Sequence, residues 1–164
     1  MSKIARPIIA LRNICHNETL SEETHAYSAT LYVNGEPWGK VSNQGHGGPD
    51  DFTPSGNRDY RDIGFLNKVI AATYPPIEAY EMSLPESLEM ICGGLVNDFL
   101  ANRELTSKLR RNVVYKHDGK LWTHSLKGGP VELVASYVRS KHPDAVILNE
   151  LPPKEAMKIW QETA

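Results

Sequence analysis

The chain has 164 residues, 40% of them hydrophobic and 23% charged, with a formal net charge of −2. A chain of this length buries roughly 70% of its unfolded surface, so it can hold a core without staples. The near-neutral charge excludes a wholly basic nucleic-acid coat and an acidic disordered tail. Cys15 and Cys92 are too few for a disulfide scaffold or a four-thiolate zinc site, and each reads as a small buried hydrophobe. The first residues hold no apolar signal-peptide core, and no window approaches the roughly 20 apolar residues of a membrane span. A cytoplasmic protein with no membrane partner is expected.

Residues 4–15 carry a short apolar run with β-branched members and read as a first strand; residues 17–23 are polar and read as a loop. From His25 the period is close to two. Tyr27, Ala29, Leu31 and Val33 share one face of a half-buried strand. Asn34-Gly35 is the strongest short-range signal for a tight hairpin turn, and residues 38–42 form the return strand. Residues 43–57 then show no period and read as a long structureless loop, which at that length is either functional or disordered.

Helical spacing begins near Arg58, with Ile63, Leu66, Val69 and Ile70 on one stripe, and stops at Tyr74-Pro75-Pro76. Ser83-Leu84-Pro85-Glu86 has the pattern of a capping box, and Leu88, Ile91, Cys92, Leu95, Val96, Phe99 and Leu100 continue as a deeply buried stripe. Gly93-Gly94 inside this helix weakens it, which suggests close approach of another backbone. A second hairpin turns at Asp118-Gly119. A third helix carries Val131, Val134, Ala135 and Val138 and ends at Pro143. Residues 145–148 read as a short buried strand, and Pro152-Pro153 opens a last helix through Trp160. The expected fold is a single α+β domain, 1–164, in which a mainly antiparallel sheet with two β-hairpins packs against about four helices. The strand at 145–148 leaves a partly mixed sheet open.

Two stretches carry candidate chemistry. Gly45, Gly47 and Gly48 bracket His46, so backbone amides could converge on an anion beside an imidazole, with Asp50 and Asp51 near. This is neither a Walker loop nor a dinucleotide fingerprint, and the plain alternative is a surface loop whose glycines permit tight turns. The second stretch is Glu23-Thr24-His25, where a carboxylate two residues from an imidazole on one strand face would orient it. The hairpin reversal sets both stretches at one end, so the candidate binding residues are Glu23, Thr24, His25, Asn43, Gly45, His46, Gly47, Gly48, Asp50 and Asp51. Catalytic residues are not assigned.

No metal or other cofactor is expected. His46 with Asp50 and Asp51 offers one nitrogen, and His16, His117, His124 and His142 are scattered singly. Residues 103–127 set Arg103, Lys108, Arg110, Arg111, Lys116, Lys120 and Lys127 against Glu104 and Asp118, with Tyr115 and Trp122 among them. This basic strip would serve a nucleic-acid backbone, although the commoner use is a solvated helix end.

The motif Glu23-Thr24, Tyr27-x-Ala29-x-Leu31-Tyr32-Val33-Asn34-Gly35, then Gly39, Val41, Asn43 and Gly45-His46-Gly47-Gly48 resembles small uncharacterised proteins of bacteriophages and prophages. The resemblance covers residues 23–48 and brings no activity with it. It implies an accessory protein of the host cytoplasm with a host-protein partner, one that inhibits a host or defence protein without catalysis. The alternative is a small enzyme or binding module for a nucleotide-like or phosphorylated ligand that uses the glycine loop with His46 and His25.

Overall fold

The computed structural model describes residues 3–164. Its architecture is α+β, and its contacts gather into two compact units, Met1–Val96 and Asn97–Ala164, with the division falling inside a helix.

The first unit opens with a four-stranded antiparallel meander. Strand β1 (Ile9–Asn17) pairs with β2 (Ala26–Val33), β2 with β3 (Glu36–Asn43), and β3 with β4 (Asp51–Pro54). The alternation read from residues 27–33 holds: Tyr27, Ala29, Leu31 and Val33 are all buried, and the intervening residues are partly exposed. Asn34 and Gly35 both take positive φ, 52° and 81°, which matches the turn to the twist of its strands. The Asn34 side chain also accepts from the Ile8 amide at 2.9 Å, fastening the turn to the start of β1.

The segment 43–57 is shorter as a loop than its sequence implies. Asp51–Pro54 joins the sheet as β4, pairing Val41 with Phe52 and Ser42 with Asp51. Four residues with two exposed positions are too few to show a period, so the strand is defined by its partner rather than by its own pattern.

Helix α1 (Tyr60–Thr73) starts from a capping box in which Asp59 accepts from the Arg61 and Asp62 amides and Asp62 accepts from Asp59 N. A two-stranded hairpin, β5 (Ile77–Ala79) and β6 (Met82–Leu84), follows where no strand was expected. It absorbs the serine of the expected capping box: Ser83 donates to Glu78 Oε1 instead. Helix α2 (Leu88–Arg111) begins later, and its first amides are met by Asn67 Oδ1 and Ser87 Oγ. Ile9, Leu31, Val33, Ile63, Leu66, Ile70, Leu88 and Cys92 form the core of this unit. No backbone approaches Gly93 or Gly94: a Cβ on either would meet no described atom within 4 Å.

In the second unit β7 (Asn112–His117) pairs antiparallel with β8 (Lys120–Ser125) and with β9 (Val146–Ile147). The sheet order is β8-β7-β9, with no parallel pair in any described sheet. Central β7 is buried on both faces. Val114 packs with Leu105, Leu148, Ala156 and Trp160, while Val113 and Tyr115 pack with Ala135, Val138 and Ile147. These clusters are supplied by the second half of α2, by α3 (Val131–Lys141) and by α4 (Pro153–Thr163). Asn149 locks the centre: its Oδ1 accepts from Val114 N at 2.8 Å, and its Nδ2 donates to the carbonyls of Leu109 and Asn112. No helix among the described residues is long and apolar enough to cross a membrane.

Candidate functional site

The reversal at Asn34-Gly35 brings residues 22–26 against residues 43–50 at one end of the meander. The carbonyl of Gly45 accepts from the amides of Glu22, Glu23 and Thr24 at 3.0, 3.1 and 3.3 Å. Asn43 ties the two stretches together with all of its side-chain capacity. Its Oδ1 accepts from Thr24 Oγ1 and from Gly45 N, each at 2.8 Å, and its Nδ2 donates to Gly48 O and to Asp50 Oδ1, each at 3.0 Å. Gly45 is buried at φ 90°, and a Cβ there would strike the Leu20 carbonyl oxygen, so no other residue fits.

Asp50 faces inward. Its Oδ2 accepts from the Tyr27 hydroxyl at 2.6 Å, and its amide donates to Glu89 Oε1 at 3.0 Å. Burial first, and then this carboxylate, hold the Tyr27 hydroxyl well above its ordinary range. Burial likewise pushes the Cys92 thiol up to about 12, with Asp50 and Glu89 adding to the effect. Asp51 stands apart, exposed at the start of β4.

Two amides of the glycine loop are engaged within the protein. Gly45 N is committed to Asn43, and Gly47 N donates to Thr24 Oγ1 at 3.3 Å. Carboxylates stand around the loop. Glu23 lies directly against Gly47, and Glu22 Oε2 is 3.2 Å from His46 Nδ1. Whereas Asp50 turns to Tyr27 and Asn43, His46 is paired with Glu22, which lies outside the expected set of binding residues. Both groups are more than half exposed, so the pair fixes a tautomer more than it adds stability. His25 packs edge-on against His16, with ring centroids 5.3 Å apart.

Beside His46 lies an open cleft of about 570 Å³, lined by Cys15, His16, Asn17, Leu20, Ala26, Tyr27, Ser28, Asn43, Gln44 and His46. Of these only Asn43 and His46 were legible as site residues. Ala26, Tyr27 and Ser28 come from β2, whereas Cys15, His16 and Asn17 follow a bulge in β1: between Arg12 and Cys15 the register with β2 slips, and Asn13 takes φ 54°. The bulge sets His16 opposite Tyr27 and leaves Cys15 opposite Ser28, so Cys15 is exposed rather than buried, while Cys92 is buried as expected. No glycine marks this bulge; its one signal in the sequence is Asn13, a residue type that tolerates positive φ.

The chain matches no protein-family model, no curated protein and no solved structure.

Proposed function

We propose that the protein is a binding module whose cleft receives a compact hydrogen-bonding heterocycle of nucleobase or nucleoside type. The observation that carries this reading is the cleft itself, about 570 Å³ in volume, set against a loop that Asn43 holds rigid. Small-ligand sites occupy about 300–1,000 Å³ and combine apolar walls with a few fixed polar groups. Here Leu20 and Ala26 supply apolar surface, Gln44 an amide with both donor and acceptor, and His16 and His46 flat imidazoles. The ring rather than a phosphate is the recognised part. The Gly45 and Gly47 amides are already engaged, and Glu22, Glu23 and Asp50 give the loop a negative surround.

Calorimetric titration with adenosine, cytidine and their 5′-monophosphates tests this. One nucleoside is expected to bind at a single site, its monophosphate no more tightly, and Ser28→Trp, which fills the cleft, to weaken binding at least tenfold. Absence of nucleoside binding, or undiminished binding to the Ser28→Trp protein, overturns the reading.

A second reading, the phage-type accessory protein that occupies a host or defence protein, is favoured by a different observation. The β5–β6 hairpin exposes Tyr80 (98%), Met82 and Leu84, an apolar edge on three-residue strands. It predicts a stoichiometric host partner that is lost with Tyr80→Ser/Met82→Ser; a partner retained by that variant contradicts it.

A further inference from the structure

Two histidines that the sequence scatters singly, His117 and His142, are brought together by the fold. Strand β9 sets Val146 against Lys116, so the β7–β8 turn at residues 117–118 runs beside residues 144–145. His117 stands between two carboxylates there. Its Nε2 is 3.2 Å from Asp118 Oδ2, and its Nδ1 is 3.3 Å from Asp144 Oδ1. The ring of His142, at the C-cap of α3, lies 4.2 Å from that of His117 and stacks on Tyr115 at 5.8 Å.

The environment of His117 is unbalanced. Its side chain is only 18% exposed, and Nδ1 is shielded from solvent yet makes no hydrogen bond of acceptable geometry. A neutral imidazole has one N–H donor, so it satisfies one aspartate and turns a lone pair toward the other. One ligand atom each from His117, Asp118 and Asp144 lies within 4.8 Å of the others, a spacing over which a single cation collects them.

We propose that His117, Asp118, Asp144 and His142 form a binding site for a divalent transition cation of the zinc type. Two imidazoles with two carboxylates are a borderline donor set that suits four-coordinate zinc better than the all-oxygen shells of calcium or magnesium. The two rings lie tilted at 40° with centroids 4.2 Å apart, so His142 must turn about χ2, a soft torsion, to present a nitrogen. The cation would tie the β7–β8 turn to the connection between α3 and β9. This site is independent of the cleft.

The test uses the full chain, treated with EDTA and dialysed, then titrated with Zn²⁺ by calorimetry and with Co²⁺ by visible absorption. One ion per chain is expected, with the intense visible bands of tetrahedral Co²⁺. Both aspartates are exposed, so Asp118→Asn/Asp144→Asn is expected to keep the fold while weakening affinity at least about tenfold, and His142→Ala to do the same. His16→Ala/His25→Ala is expected to leave binding unchanged. No stoichiometric uptake, or uptake lost with His16→Ala/His25→Ala but kept with the aspartate variant, overturns the assignment.

Discussion

Asn43 holds the candidate site in shape, because four hydrogen bonds from one amide join residues 24, 45, 48 and 50. Asn43→Ala leaves those groups without their partner in a half-buried position, at a cost of about 2–3 kcal/mol. Urea unfolding should show the loss as a lower midpoint with an unchanged slope; an unchanged midpoint contradicts the role. Cys92 makes a second prediction. Its thiol is raised from an ordinary 9.0 to about 12 in the folded protein, first by burial. Between those values the unfolded chain holds fewer protons than the folded one, so stability falls as pH climbs from 9 toward 12. Tyr27, also raised, acts in the same direction at higher pH. Cys92→Ala should therefore flatten the alkaline limb of the stability profile, and a limb of equal steepness in the variant counts against this origin.

Elements whose period is carried by their own side chains are legible in the sequence. The alternation of residues 27–33 buries its four defining side chains, and the stripes of α1 and α2 bury Ile63, Leu66, Ile70, Leu88, Cys92 and Val96. The two Asx-Gly turns form at positive φ with their residues exposed. Elements fixed by a partner are not. Strand β4 exists through its ladder with β3, and β5–β6 turns at Tyr80 and Glu81, two residues at positive φ that lack the usual asparagine or glycine. The start of α2 lies beyond Ser83 because Glu78 takes up that serine, and the first amides are met by Ser87 and by Asn67, which is distant in sequence. Gly93 and Gly94 follow the same logic in reverse. With open space at both Cβ positions, Gly93→Ala and Gly94→Ala should each stabilise by about 0.5–1 kcal/mol through helix propensity. Gly45→Ala, which drives a Cβ into the Leu20 carbonyl, should destabilise instead. Thermal midpoints of the three variants check the contrast, and a loss at Gly93 or Gly94 would show a contact there.

At the scale of the whole molecule, composition and order of elements lead to α+β, and each unit buries its own apolar clusters. The site is less legible than the fold. The sequence brings His46 and Asn43 to the end that also holds residues 22–26, but the cleft wall at Cys15, His16 and Asn17 follows a β1 bulge that only Asn13 hints at. The basic strip is divided between the end of α2 and the β7–β8 hairpin. Lys108 pairs with Glu104 at 3.6 Å, and Arg103 lies over Phe99, so two of its seven cations have partners within α2. The most direct test of the account is an amide chemical-shift titration of the isotopically labelled chain with a nucleoside. Shifts confined to residues 15–17, 20, 26–28 and 43–46, and absent in the Ser28→Trp protein, are the predicted result. No shifts at saturating nucleoside, or shifts centred elsewhere, would contradict it.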